Sequence, residues 1–308
     1  MTMRLEGIHH ITAITGDAPR NVDFYARVLG LRLVKKTVNQ DDPTVYHLFY
    51  ADELGSPGSD ITFFEYPGAR RGRAGAGMVH RIVWRVASEE SLDFWEERLR
   101  GERVDLSREP GRLRFSDPEG LGLELSVVET EDAQLIADHP EVPAELALQG
   151  FDSARAYSFD PDASREFLTG SLGFTANGES QYEVRGEQRG SFWIYDQARA
   201  RGIGGAGTVH HIAWASPPQE HEAWRERVIA GGGSPTPVID RFYFRSIYFR
   251  EPSGVLFELA TIGPGFTTDE PLEHLGERLS LPPAFEHLRE QVEPVLTPLP
   301  NPRPQPVR

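Results

Sequence analysis

The chain repeats itself, and that constrains its fold more than any composition value. Gly75-Ala76-Gly77-Met78-Val79-His80 returns as Gly205-Ala206-Gly207-Thr208-Val209-His210, an offset of 130. Both copies run on as a strand, Arg81-Ile82-Val83-Trp84 and His211-Ile212-Ala213-Trp214. Each strand leads into a helix with a tryptophan in its apolar stripe, near Trp95 and Trp224. Each copy then closes with an acid-Pro-x-Gly turn and a last strand: Asp117 to Gly120 before Leu123-Glu124-Leu125, and Glu251 to Gly254 before Phe257-Glu258-Leu259. Units repeated in this way bury their faces against one another.

A weaker pair lies between these copies. Phe24-Tyr25 through Leu29-Gly30 matches Phe167-Leu168 through Leu172-Gly173 at an offset of 143, with Asp17 and Asp160 marking the helix starts and the glycines the ends. Four units follow, near 5–66, 77–128, 147–196 and 207–262, each a strand, a helix and three strands. The expected fold is therefore α+β: four βαβββ modules in two tandem halves (1–135 and 145–265), forming cup-shaped mixed sheets with helices outside. The tail, 266–308, is expected to hold one amphipathic helix near 283–296 and to end in an extended or disordered proline-rich stretch.

Strand alternation selects the side chains that face the cup. In the second unit Ile82, Trp84 and Val86 should pack beneath the helix with His80, leaving Arg81, Val83 and Arg85 on the open face. The offset of 130 then puts His211, Ala213 and Ala215 on the open face and His210, Ile212 and Trp214 beneath the helix. The small Ala213 and Ala215 would leave room for a ligand beside His211. In Ile8-His9-His10-Ile11 the same phase turns His10 and Thr12 into the cup. Ser153 and Arg81 occupy the corresponding places in the third and second units, so one site shared by the first and last units is expected. Glu258 points away from Phe257 and Leu259, and a carboxylate on a half-buried sheet face needs a partner. Two imidazoles and one carboxylate on adjacent strands are a metal-ligating set that leaves neighbouring coordination positions open. Glu124 has the same setting without histidines and reads as a surface or salt-bridged residue.

Composition narrows the chemistry. With no cysteine among 308 residues, disulfides, thiolate metal sites and a cysteine nucleophile are excluded, and any metal is held by nitrogen and oxygen. A net charge of −15 argues against nucleic acid as partner. No apolar run is long enough to span a membrane and no signal peptide opens the chain, so a cytoplasmic location is expected. Lys35 and Lys36 are the only lysines. The glycine-rich segments 72–77 and 202–207 precede strands, the wrong order for a phosphate loop, and read as linkers.

These residues resemble the vicinal oxygen chelate superfamily, over about residues 5 to 280. Within it the chain is most similar to ring-cleaving dioxygenases of the hydroquinone type. The matching stretches are Leu5 through Thr12, Thr15 through Ala18, Tyr46-His47-Leu48 through Gly55, Val209-His210-His211, Arg241 through Glu258, and Gly265 through Glu270. The resemblance implies an Fe(II)-dependent extradiol-type dioxygenase, with Mn(II) or another divalent metal as the alternative. Its ligands would be His10, His211 and Glu258, and its partners a small hydroquinone-like or catecholic aromatic and O₂, in a homo-oligomer. It also implies supporting or catalytic roles for His9, Thr12, His210, Arg241 and Tyr248, with acid–base work falling to His210 or Tyr248 and charge stabilisation to Arg241. If they share one strand, Arg241 and Tyr248 have opposite parity, and the strand must bulge or bend for both to face the metal.

Two other readings use the same scaffold. A glyoxalase-type isomerase or lyase would need a fourth ligand, for which Glu65 is the candidate. A non-catalytic small-molecule-binding protein would use the cup without chemistry.

Overall fold

The computed structural model describes residues 3–299 and Pro302. Each of the four units has the expected order. The first contains β1 (Ile8–Thr15), α1 (Ala18–Val22), β2 (Arg32–Asn39), β3 (Asp42–Ala51) and β4 (Asp60–Glu65). The second contains β5 (Met78–Val86), α2 (Glu89–Gly101), β6 (Leu106–Glu109), β7 (Arg112–Ser116) and β8 (Gly122–Val127). In the third, β9 (Phe151–Ser158) is followed by a 3₁₀ turn (Pro161–Ser164), a π turn (Phe167–Ser171), β10 (Thr175–Ala176), β11 (Gln181–Arg185) and β12 (Gly190–Gln197). The fourth holds β13 (Thr208–Ser216), α3 (His221–Ala230), β14 (Ile239–Asp240), β15 (Arg245–Arg250) and β16 (Leu256–Thr261).

The strands form two eight-stranded mixed sheets, ordered β14-β15-β16-β13-β1-β4-β3-β2 and β10-β11-β12-β9-β5-β8-β7-β6. The first unit therefore pairs with the fourth and the second with the third, so each sheet draws on both halves of the sequence. Within each unit the first and last strands run parallel, and the two units of a sheet meet at an antiparallel seam, β1–β13 or β5–β9.

Local chemistry accounts for the helices. Ser88 caps α2 by accepting from the Ser91 amide at 3.2 Å. Glu89 and Glu90 in its first turn and Arg98 and Arg100 in its last complement the helix dipole. Asp17 caps α1, which widens into a π turn over Asp23–Val28. The stripe tryptophans Trp95 and Trp224 are fully buried against the sheets, as are Trp84, Trp193 and Trp214. In the tail, the helix expected over 283–296 is shorter: a 3₁₀ turn (Glu286–Leu288) and one α turn, α4 (Arg289–Val292). Residues 300, 301 and 303–308 of the proline-rich end lie outside the described residues. No helix among the described residues is long and apolar enough to cross a membrane.

Asp132, in the segment joining the halves, ties that segment to the second sheet. Its carboxylate accepts from Arg85 at 2.7 Å, Arg185 at 2.8 Å and the Gly190 amide at 3.2 Å. Burial alone would push this carboxyl up, but the Arg185 and Arg85 hydrogen bonds outweigh it and hold the group below the usual carboxylate range. A depressed carboxyl stabilises the fold above its unfolded pKa and loses that contribution as pH falls. Asp132→Asn is expected to cost about 2–3 kcal/mol in urea denaturation at pH 7. The gap to wild type should close below about pH 4, where the unfolded carboxyl protonates.

Candidate active site

The β1–β13 seam brings His10 and His211 together with their rings edge-on, and β16, beside β13, adds Glu258. The Nε2 atoms of His10 and His211 are 3.3 Å apart, and Glu258 Oε2 lies 3.2 Å from the first and 2.9 Å from the second. All three residues are buried, and they are the trio of ligating side chains that could hold a metal ion among the described residues.

Hydrogen bonding assigns the protons. The Thr261 carbonyl can only accept, so His9 carries its hydrogen on Nε2, 3.2 Å away. His9 Nδ1 is then left to accept from His10 Nδ1–H at 2.9 Å. An uncharged His10 consequently directs the lone pair of Nε2 at Glu258. His211 has the matching contact to His210, Nδ1 to Nδ1 at 2.8 Å. Neither Glu258 oxygen receives a well-directed hydrogen bond. Two imidazole nitrogens and a carboxylate oxygen converging this closely without well-directed hydrogen bonds to the carboxylate are a donor set that fits a metal ion.

The structure corrects the expected phase of the doublets. His9 is the extra residue between the Ile8–Trp214 and His10–Ala213 pairs, and His210 the extra residue between Thr12–His211 and Ala13–Val209. Each doublet therefore sits at a β-bulge, which breaks alternation and re-aims a side chain. His210 does not lie beneath the helix: it is exposed and its ring meets Phe64 edge-on at 5.5 Å. Nor does Ala213 leave space for a ligand. It is buried in a cluster with Val34, Phe49, Tyr243, Phe244 and Phe266.

Glu65 points away from the trio. Its carboxylate accepts from the Ala18 amide at 3.3 Å and the Thr297 hydroxyl at 2.8 Å, on the helix and tail side of the sheet. In the parallel register Glu258 stands opposite Ala213, and the equivalent partner of Thr12 on β4 is Thr62. A threonine therefore occupies the place of a second closing-strand carboxylate. Thr62 donates to Thr12 at 2.8 Å, leaving its oxygen to accept from His47 Nε2 at 2.8 Å. His47, which the sequence reading did not place in the site, lines the cavity and carries its hydrogen on Nε2, leaving Nδ1 unprotonated. Its signal was the alternation of β3, which puts it on the same face as Phe49.

His10 and His211 open into a cavity walled by Phe49, Phe64, Tyr243, Phe244 and Tyr248. Tyr248 lies opposite Glu258 in the sheet, with its ring 5.6 Å from that of His211. Arg241 needs no bulge to join it, because it lies in the turn between β14 and β15, where Phe242 has φ 71°. Its guanidinium stands 5.5 Å from the Tyr248 ring centre and pairs with Asp41 at 2.9 and 3.1 Å. Gln40 donates to the Arg241 carbonyl at 2.8 Å, so the hairpin tips of the first and fourth units meet over the cavity.

Burial sets the charge states. It lowers the pKa of His9 to about 3, with the neighbouring His10 imidazole adding to the effect. His47 and His211 are lowered by burial as well. Uncharged imidazoles are the form that can ligate or accept a proton. Burial, reinforced by the Glu258 charge, raises Tyr248, which keeps its hydroxyl proton.

With this geometry in place, comparison with known proteins gives the family. Residues 7–125 and 150–259 match the glyoxalase/bleomycin resistance protein/dioxygenase superfamily, and the chain belongs to it. It is 42% identical over 308 residues to a Bacillus subtilis protein named as a ring-cleaving dioxygenase, MhqO, covering 97% of this chain and 98% of that one. It is 34% identical to the chlorohydroquinone/hydroquinone 1,2-dioxygenase of Sphingobium indicum, covering 94% and 95%. A crystal structure of a protein named as a dioxygenase from Bacillus subtilis superposes with a TM-score of 0.90 at 40% identity, over 97% of this chain and 99% of that one.

One further residue supports the site from behind. Lys35, fully buried, pairs with Asp269 at 2.7 Å and with Glu270, and donates to the Phe266 carbonyl at 3.2 Å. Its ammonium is 5.0 Å from the Tyr243 ring centre, and the Tyr243 hydroxyl donates to Asp269 at 2.9 Å. The segment from Gly265 to Glu270 is thereby clamped behind an aromatic wall of the cavity. Lys35→Met leaves Glu270 buried without its main partner and is expected to cost about 3–5 kcal/mol by chemical denaturation. Adding Glu270→Gln should return part of that loss.

Proposed function

We propose that the protein is an Fe(II)-dependent, extradiol-type ring-cleaving dioxygenase acting on a hydroquinone-like or catecholic aromatic with O₂. The observation that carries the reading is a three-residue ligand set without a fourth ligand: Thr62 stands in the place of a second carboxylate and Glu65 faces the other way. A metal held by three residues keeps positions open for substrate and oxygen, whereas a four-ligand, glyoxalase-type site keeps fewer. The aromatic walls fit a flat ring, and the names of the relatives point to the same chemistry.

His10, His211 and Glu258 would hold the metal, which when bound supplies the electron relay between the aromatic ring and O₂. His9 and His210 fix the ligand imidazoles through their Nδ1 contacts and raise their basicity. His47 Nδ1 accepts the proton that a substrate hydroxyl releases on binding, a role the resemblance gave to His210 or Tyr248. Tyr248 keeps its hydroxyl proton and serves as donor, while Arg241, pinned by Asp41, offers a fixed positive charge to developing negative charge on the substrate. Thr12 steadies the Thr62 hydroxyl on which His47 rests.

Anaerobic reconstitution with Fe(II), followed by oxygen uptake on a panel of hydroquinones and catechols, tests the reading. Oxygen consumption with at least one of them is expected. His211→Ala should abolish both metal retention and uptake, and Glu65→Gln should leave both intact. His47→Ala should keep the metal and slow kcat about 10²–10⁴-fold. A preparation that retains zinc or nickel and consumes no oxygen with any of them would sink the proposal.

A further inference from the structure

The second sheet carries the same seam with different residues. His80 and Asp152 are the extra residues at its two bulges, matching His210 and His9. Arg81 and Ser153 stand where His211 and His10 stand in the first sheet, and Glu124 is placed against Val83 as Glu258 is against Ala213. The second cup is therefore built like the first but carries a guanidinium and a hydroxyl where the first has its two ligand imidazoles.

This cup is wider and more open to solvent than the first. Six arginines line it: Arg73, Arg81, Arg112, Arg114, Arg155 and Arg199. Three carboxylates face them. Glu124, buried, takes Arg114 at 2.8 Å, Arg81 at 3.3 Å and Arg112 at 3.7 Å. Glu109 takes a second contact from Arg114, and Asp196 takes Arg155 through two hydrogen bonds of 2.8 and 2.6 Å. Asp152, behind them, lies 3.8 Å from Arg85. Six guanidiniums against three carboxylates leave a local excess of positive charge in a chain whose net charge is −15. Arg73 and Arg199 have no acidic partner among the described residues.

The cup is ordered as well as charged. Asp196 also accepts from His80 Nε2 at 2.8 Å, and the His80 ring stacks on Tyr157 with centres 3.8 Å apart and planes 14° apart. Several guanidiniums are thus held in place beside a flat aromatic surface before any ligand arrives. Fixed guanidinium forks match carboxylate and phosphate oxygens two at a time, which gives both affinity and direction. A charge excess converging on one concavity also concentrates anions there.

We propose that the second cup is a binding site for a small multiply charged oxyanion, a dicarboxylate or a phosphate, separate from the first cup. The paired arginines Arg81, Arg112, Arg114 and Arg155 shape the cup, and Arg73 and Arg199 supply charge that no acidic partner among the described residues neutralises.

The test uses the full chain with inorganic phosphate and with fumarate, each compared with sodium chloride at equal ionic strength. Isothermal titration calorimetry is expected to show one saturable site for at least one of them, with a matching rise in Tm. Saturation by phosphate alone, or by fumarate alone, identifies the source of the anionic groups. Arg112 and Arg199 are exposed, and the R112S/R199S double variant should fold normally and weaken that binding at least about tenfold, since each lost charge-assisted contact is worth more than 1 kcal/mol. Absence of saturable binding by both probes overturns the proposal. So does binding that the double variant leaves unchanged. A shift in sedimentation of the double variant, with neither anion bound by wild type, would instead mark the cup as a contact with a second copy of the chain.

Discussion

The candidate site depends on one antiparallel seam that fails to keep perfect register. Had β1 and β13 paired without interruption, alternation would send one histidine of each doublet into the cup and the other beneath the helices. The extra residue on each strand turns both imidazoles of a doublet to work on the same problem. One faces Glu258, and the other holds the first by its far nitrogen. The orienting contacts come from adjacent residues, so the ligand geometry is fixed locally and needs little help from distant loops. The aromatic walls, the Asp41–Arg241 contact and the Lys35 clamp then close around a centre whose directions are already set.

Much of this was legible in the residues. The offset of 130 and the turns that close each copy place four equivalent units, and the units appear with the expected element order. Phase also selected His10, His211 and Glu258 over their neighbours, since apolar partners such as Ile82, Trp84, Phe257 and Leu259 anchor the alternation firmly. What escaped was whatever alternation does not govern. A bulge carries no sequence mark beyond the doublet itself, so His210 was sent to the wrong face. Arg241 was counted on a strand because the turn at Phe242 lacks glycine or proline at its positive-φ position. His47 lay in a stretch of mixed aromatic residues where neither face is polar, and its role emerges only once Thr62 and Thr12 are seen beside it. Lys35 gave a compositional hint, being one of two lysines, but its partners lie more than two hundred residues away.

The two cups show what a duplicated scaffold leaves free. The bulges recur in both seams and belong to the architecture; the residues on them do not. In one sheet the four bulge and neighbour positions carry imidazoles around a carboxylate that lacks hydrogen-bond donors. In the other they carry His80, Arg81, Asp152 and Ser153, and the equivalent carboxylate, Glu124, is neutralised by arginines from β5 and β7. A guanidinium at the Arg81 position supplies no lone pair to a metal and satisfies the carboxylate that would otherwise call for one. Three exchanges among these four positions thus separate the chemistry of the cups.

The pairing of the first unit with the fourth has a consequence for how the protein is made. β1 emerges from the ribosome some two hundred residues before β13, its partner across the seam. Until then the first unit carries an unpaired strand edge rich in buried-type side chains, of the kind that invites pairing with the wrong chain. The second and third units are neighbours in sequence and can close their sheet meanwhile. The molecule is therefore built from the inside outward, and His10 waits for His211 until synthesis is well advanced. Contacts of such long range slow folding, and the candidate metal centre is among the last parts of the chain to be assembled.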